Sequence, residues 1–209
     1  MGISKQGIIN MNGSPNPNII SGTHRANFST VVTSPEDGIM YVGSGGNGTF
    51  SITQEKVPIG NYSYNIIGNT SGNRDFQQMN IPYIANKQYT GSWYAKGSGI
   101  CLYRSWNRTQ SSAVFQKTFT LTNDWQFYYY TFTATQAQQD DNCTFHLGVS
   151  GNSEIHICGM KLEEGKVPTL WIPNINDDIY VGSSGFIENN DICKIQKQGY
   201  IQSPEFIEI

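Results

Sequence analysis

Chemistry in this chain would have to come from three histidines, a few paired acids and many aromatics. The histidines are His24, His146 and His156, and the last two fall in apolar strand-like runs that could face each other across a hairpin. A nucleophile–base–orienter triad needs three groups to converge. No Cys or Asp stands beside either histidine in a suitable pattern, and no nucleophile elbow is present. Glycoside hydrolysis needs two carboxyl groups flanking a sugar. Here the acid pairs, Asp140-Asp141, Glu163-Glu164 and Asp177-Asp178, sit in loop-like stretches where acids are solvated. The chain is therefore read as not an enzyme. Cys101, Cys143, Cys158 and Cys193 make no CxxC or finger spacing, which argues against zinc. The first three lie in apolar runs and read as buried thiols acting as small hydrophobes. The only cofactor the residues suggest is a structural Ca²⁺ held by backbone carbonyls and a carboxylate, with Glu163, Asp177 and Asp178 as ligand candidates.

The aromatics offer a better site. A sugar presents apolar C–H faces and many hydroxyls, so flat rings beside hydrogen-bonding side chains suit it. Strand alternation separates the residues of Trp125–Phe132 into two faces. If Tyr128, Tyr130 and Phe132 point inward, Phe127, Tyr129 and Thr131 point outward. In the run Gln88–Gly97, Trp93 and Ala95 would be core, leaving Ser92 and Tyr94 outside. Tyr103, with Arg104 and Trp106 nearby, adds further exposed candidates. The candidate glycan face is thus Tyr94, Tyr103, Arg104, Trp106, Phe127 and Tyr129. Trp93, Trp125 and Trp171 are assigned structural roles: a core residue, a cap on the core edge and a lid.

These residues need a scaffold of short strands. Apolar or alternating runs recur at 18–20, 28–32, 39–42, 49–53, 61–68, 76–79, 81–84, 88–97, 100–106, 114–121, 124–134, 143–149 and 154–160. Turn signals such as Ser34-Pro35-Glu36-Asp37-Gly38 separate them. Pro82 marks an edge or irregular segment. Only Thr135–Asp140 is compatible with a helical turn. About ten short strands at this spacing predict an all-β jelly-roll β-sandwich. The cluster Gly43–Gly48 lacks the Gly-Lys-Ser/Thr ending of a phosphate loop and reads as a loop.

Composition agrees. Charged residues are 14% of the chain, well below the roughly 25% of average proteins, while Tyr (12), Phe (10) and Trp (4) are plentiful, which favours strands. A net charge of -3 gives no reason to expect nucleic acid as a partner. No apolar run is long enough for a membrane helix, and Met1–Gln6 lacks the apolar core of a secretory signal. Residues 1–17 read as an N-terminal arm, 18–174 as the sandwich and 175–209 as a C-terminal arm. The arms echo each other: Lys197-Gln198-Gly199-Tyr200-Ile201 matches Lys5-Gln6-Gly7-Ile8-Ile9 in pattern, and Tyr180–Gly185 matches Tyr41–Gly45. Ile187, Ile192, Ile195, Tyr200, Ile201, Phe206, Ile207 and Ile209 need a partner to cover them: the sandwich, another subunit or a host particle.

Four motifs in order carry a resemblance. Asn18-Ile19-Ile20 opens the region, Tyr89–Gly97 (YTGSWYAKG) and Trp125–Ala134 (WQFYYYTFTA) form its middle and late strands, and Lys161–Asn174 (KLEEGKVPTLWIPN) closes it. Together they resemble jelly-roll domains of phage tail and head fibres, relatives of the family-4-type carbohydrate-binding modules. The ending Gly199–Ile209 (GYIQSPEFIEI) also resembles small fibre proteins of crAss-like phages. The resemblance implies a homotrimeric virion protein on the particle surface, a head or tail fibre or decoration. Its arms would dock to capsid or tail proteins, and its sandwich would bind host or environmental glycans. The alternative is a carbohydrate-binding module of a secreted bacterial protein.

Overall fold

The structure, a computed structural model, describes residues 16–20, 41–42, 48–60, 62–69, 73–141, 143–172, 174, 179–180 and 186–187. Its elements in chain order are β1 (Tyr41–Val42), β2 (Thr49–Gln54), β3 (Tyr62–Ile67), β4 (Asn73–Gln78), β5 (Gln88–Asn107), β6 (Ser112–Thr120), β7 (Gln126–Thr133), α1 (Gln136–Asp140), β8 (Thr144–Glu164), β9 (Ile179–Tyr180) and β10 (Phe186–Ile187). All pairing is antiparallel. The chain is an all-β jelly-roll β-sandwich.

Two long strands, β5 and β8, organise it. They pair with each other along nearly their whole length. Each bends midway and so belongs to two sheets. The first half of β5 and the last half of β8 join β7, β3 and β2 in sheet A. The remaining halves join β6, β4 and β1 in sheet B. The sequence pattern reads 88–97 and 100–106, and again 143–149 and 154–160, as separate strands. The structure runs each pair into one. Gly97 (φ 139°) and Gly99 (φ 86°) lie where the β5–β8 register shifts, between Ser98 and Ile100. A side chain at Gly97 would stand 2.0 Å from the Glu154 carbonyl oxygen. These glycines bend the strand without ending it.

The bend folds sheet A onto sheet B, and the aromatics fill the space between. Trp93 of sheet A meets Tyr103 and Phe119 of sheet B at 5.3 and 5.2 Å between ring centroids. Phe132 meets Phe115 at 4.5 Å, and Tyr64 meets Phe76 at 4.5 Å. Leu147, Val149, Ile155, Ile157, Met160 and Leu162 complete the core. Each such side chain, fully buried, contributes about 1.5–3 kcal/mol.

Other expectations resolve as follows. Residues 81–84 form an irregular segment, because Pro82 cannot donate to a ladder. Thr135–Asp140 is a helix start: Thr135 and Gln138 form a capping box ahead of α1. Cys101, Cys143 and Cys158 are buried free thiols. Burial pushes the Cys158 and Cys143 thiols up to about 12 and about 11. The strand expected at 28–32, most of the two arms, and Cys193 lie outside the described residues.

Candidate functional site

Sheet A turns one face to the core and the other outward. Cross-strand register assigns the outward residues: Tyr129 opposite Ser92, Phe127 opposite Tyr94, Thr131 opposite Thr90, and Ser92 opposite Lys161. Tyr94 and Phe127 lie 4.9 Å apart between centroids, and Phe127 and Tyr129 6.3 Å apart. All three are half-buried. Burial raises the Tyr94 phenol above its ordinary value. Three of the six candidate glycan-face residues therefore converge as alternation requires.

Two chain segments cross this outer face. The stretch after β2, residues 55–60, reaches over from the edge of the sheet. Glu55 begins it and is bonded by Lys96, by the Ser63 hydroxyl and by His156 Nδ1, the last at 2.6 Å. Burial pushes the Glu55 carboxyl up, but those three partners outweigh it and hold it below its ordinary value. Trp125 Nε1 donates to the Lys56 carbonyl at 3.2 Å. Lys96 Nζ sits 5.2 Å from the Trp125 ring centre, a cation–π contact. Ile59 stands over Gly159, where an added Cβ would lie 3.0 Å away. His156 Nε2 faces Glu154 and Asn65, both at 3.3 Å. Glu55, Lys96, His156, Glu154, Asn65 and Ser63 thus make a polar patch beside the rings.

The second crossing is the stretch after β8. Gly165 (φ 140°) turns the chain, and Thr90 Oγ1 donates to its carbonyl at 2.8 Å. Thr131 Oγ1 donates to the Lys166 carbonyl at 3.0 Å. The chain then returns over Lys161, whose Nζ donates to Thr169 Oγ1 and the Leu170 carbonyl at 2.6 and 2.8 Å. Glu163 accepts from Thr169 N and Oγ1 at 2.8 and 2.5 Å and lies 3.3 Å from Lys161 Nζ. Both side chains are fully buried. Desolvation pulls the Lys161 ammonium down to about 8, against the pull of Glu163. Trp171 Nε1 donates to the Met160 carbonyl at 3.0 Å. The Gly159–Met160 bulge, opposite Trp93, resets the alternation so that Lys161 and Glu163 face outward while Met160 and Leu162 remain core.

Several assignments change. Tyr103 is fully buried between the sheets, because its parity on β5 matches the inward Cys101. It leaves the candidate face. Arg104 and Trp106 point outward from sheet B, away from Tyr94, and serve a separate network. Asp75 accepts from Arg104 at 2.7 Å and pairs with His146 Nδ1 at 3.1 Å, while His146 Nε2 lies 2.5 Å from Thr144 Oγ1. Arg104 also lies over the Trp106 ring at 4.9 Å. Trp125 is on the outer rim of sheet A and does not cap the core, since it shares parity with Phe127. Trp93 is core and Trp171 folds back on β8, as assigned. Glu163 has both oxygens bonded to Thr169 within the chain, and Asp177 and Asp178 lie outside the described residues. Among the described residues, no group of three or more His, Cys, Asp or Glu is placed to hold a metal.

Sequence reasoning does not find Glu55, Lys96 or Ile59, and it raises His156 only as a catalytic candidate. The available signal was the connection between β2 and β3, longer than a tight hairpin and carrying Glu, Lys and Pro.

No protein-family model matches this sequence, and no curated protein does. Solved structures match in fold. The CBM22-1 xylan-binding domain of Paenibacillus barcinonensis Xyn10C aligns over 74% of this chain and 99% of that one, at TM-score 0.52 and 12% identity. A putative sugar-binding protein of Bacteroides thetaiotaomicron aligns over 71% of this chain and 100% of that one, at TM-score 0.50 and 13% identity. The enzymatically active domain of bacteriophage CBA120 tailspike protein 4 aligns over 71% of this chain, at TM-score 0.50 and 15% identity. This chain matches only 21% of that structure's length. At such identities the likeness is one of fold.

Proposed function

We propose that this chain is a non-catalytic glycan-binding protein, with its contact face on the outside of sheet A. One observation carries the reading: Tyr94, Phe127 and Tyr129 share an outward face beside Glu55, Lys96, His156 and Glu154. Rings take the apolar faces of a sugar, and the polar patch takes its hydroxyls. The xylan-binding and sugar-binding proteins that share the fold support the ligand class.

We place the protein on a phage particle, as a head or tail fibre or decoration made in the host cytoplasm and displayed as a homotrimer. Support comes from the four motifs, the narrower crAss-like resemblance of the ending, the tailspike likeness and the apolar C-terminal arm. Residues 16–20 and 169–174 also lie side by side. Asn174 Nδ2 donates to the Asn18 and Ile19 carbonyls at 2.7 and 3.1 Å, and Asn16 N donates to Thr169 Oγ1 at 3.0 Å. The chain therefore enters and leaves the sandwich at one place, which suits display from a single pole. The bacterial carbohydrate-binding-module setting is supported equally by the sugar-binding neighbours.

A glycan array probed with the wild type and with Tyr94→Ala and Tyr129→Ala tests the ligand class. Binding by the wild type and loss in both variants is the expected result; absence of wild-type binding overturns it. Light scattering tests the assembly, with a monomer at all concentrations counting against the fibre setting.

A further inference from the structure

The two crossing segments do not run parallel. Along the β7 edge they touch Trp125, the residue before β7, and Thr131 within it, a separation of roughly 20 Å at about 3.3 Å per residue. On β8 they come down on consecutive residues: Ile59 on Gly159, and Trp171 on the Met160 carbonyl. The outer face between them therefore narrows from β7 to β8, and Tyr94, Phe127 and Tyr129 are its partly exposed rings, while Ser92 and Lys161 are buried. Its wide mouth is at β7, where Phe127 and Tyr129 form the floor. Its floor continues over Tyr94, whose ring is 3.4 Å from a Cβ built at Gly159, and it ends there against Ile59. Each wall is fixed. One is held by Glu55 to Lys96 and His156, the other by Lys161 and Glu163 to Thr169 and Leu170.

We propose that this recess takes the end of a glycan chain and not an internal stretch. The inference rests on the glycan-binding reading above. A chain bound internally needs a groove open at both ends. Among the described residues Ile59 closes the β8 side and none closes the β7 side, so a terminal sugar would sit on Tyr94 at the back and the next residues would leave over Phe127 and Tyr129. The side chain that closes the back is Ile59, which sits on a surface connection and can be shortened without touching the core. Ile59 is the specificity-determining residue on this account.

The test uses the full chain with xylan, a neutral β-glucan and bacterial capsular polysaccharides as probes. Each polysaccharide that binds is partly hydrolysed to raise its number of chain ends at constant mass, and binding sites per gram are measured by calorimetry. End recognition predicts that sites per gram rise in proportion to chain ends. Ile59→Ala opens the back and should weaken that proportionality while still binding polymer. Sites per gram that stay constant on hydrolysis of a bound polysaccharide overturn end recognition and leave glycan binding intact. No binding to any probe overturns both. Amide exchange of the Ile59→Ala variant reports whether the sandwich is intact; an intact variant that keeps the wild-type dependence on chain ends overturns the role of Ile59.

Discussion

Tyr94 and Phe127 stand opposite each other across the β5–β7 ladder, their ring centroids 4.9 Å apart and their planes tilted by 54°. The neighbouring pair on the same ladder, Trp93 and Tyr128, stacks inside the core at 6.2 Å and 13°. One alternation makes both pairs. Because Trp93 must be buried, Tyr94 must face out, and the antiparallel register then brings Phe127 to it.

The buried pair Lys161–Glu163 gives a sharp stability prediction. Lys161→Met leaves the buried Glu163 carboxyl without its cation and should cost about 3–5 kcal/mol. Adding Glu163→Gln should recover most of that loss, since the amide oxygen can still accept from Thr169 N. Urea unfolding of the two variants checks it. A single variant as stable as the wild type would contradict the assignment.

Asp75 sets an acid limb. Burial pushes its carboxyl up, but the hydrogen bond and charge of His146, together with Arg104, outweigh burial and hold it below the ordinary value. A carboxyl held lower in the folded than in the unfolded chain adds stability above its unfolded value, about pH 4. That stability is lost as pH falls through the folded value. Asp75→Asn should be less stable at neutral pH, with a shallower loss below about pH 4. An acid limb parallel to the wild type would count against this.

Tyr103 separates packing from hydrogen bonding. Its hydroxyl is buried with no hydrogen-bond partner among the described residues, while its ring meets Trp93, Phe115 and Phe145. Tyr103→Phe should be neutral or stabilise by up to about 1 kcal/mol. Trp93→Ala, by contrast, should cost about 3–5 kcal/mol. Thermal unfolding decides; a loss above about 1 kcal/mol for Tyr103→Phe would show an unrecognised partner.

Much of this fold was legible. Alternation in Trp125–Phe132 and Gln88–Gly97 correctly sent Phe127, Tyr129 and Tyr94 outward, because one buried face constrains every second residue. The same rule applied to β5 beyond Gly99 would have buried Tyr103. It was missed because the glycines were read as a turn between two strands, and parity was not carried through the bend. Trp125 was misplaced because a large apolar ring suggests the core, whereas here Lys96 and the Lys56 carbonyl engage it at the rim. The polar patch was not legible. Glu55 meets His156 at 2.6 Å although they are far apart in sequence, and only the folded-over connection joins them.

The most direct measurement of the central claim is calorimetric titration of the wild type and Phe127→Ala with a polysaccharide retained in an array screen. Phe127 contributes an outward ring to the floor and nothing to the core, so the variant should unfold like the wild type. Binding should weaken by about tenfold or more, equivalent to about 1.4 kcal/mol. Equal affinity in the two proteins would contradict the placement of the glycan on the outer face of sheet A.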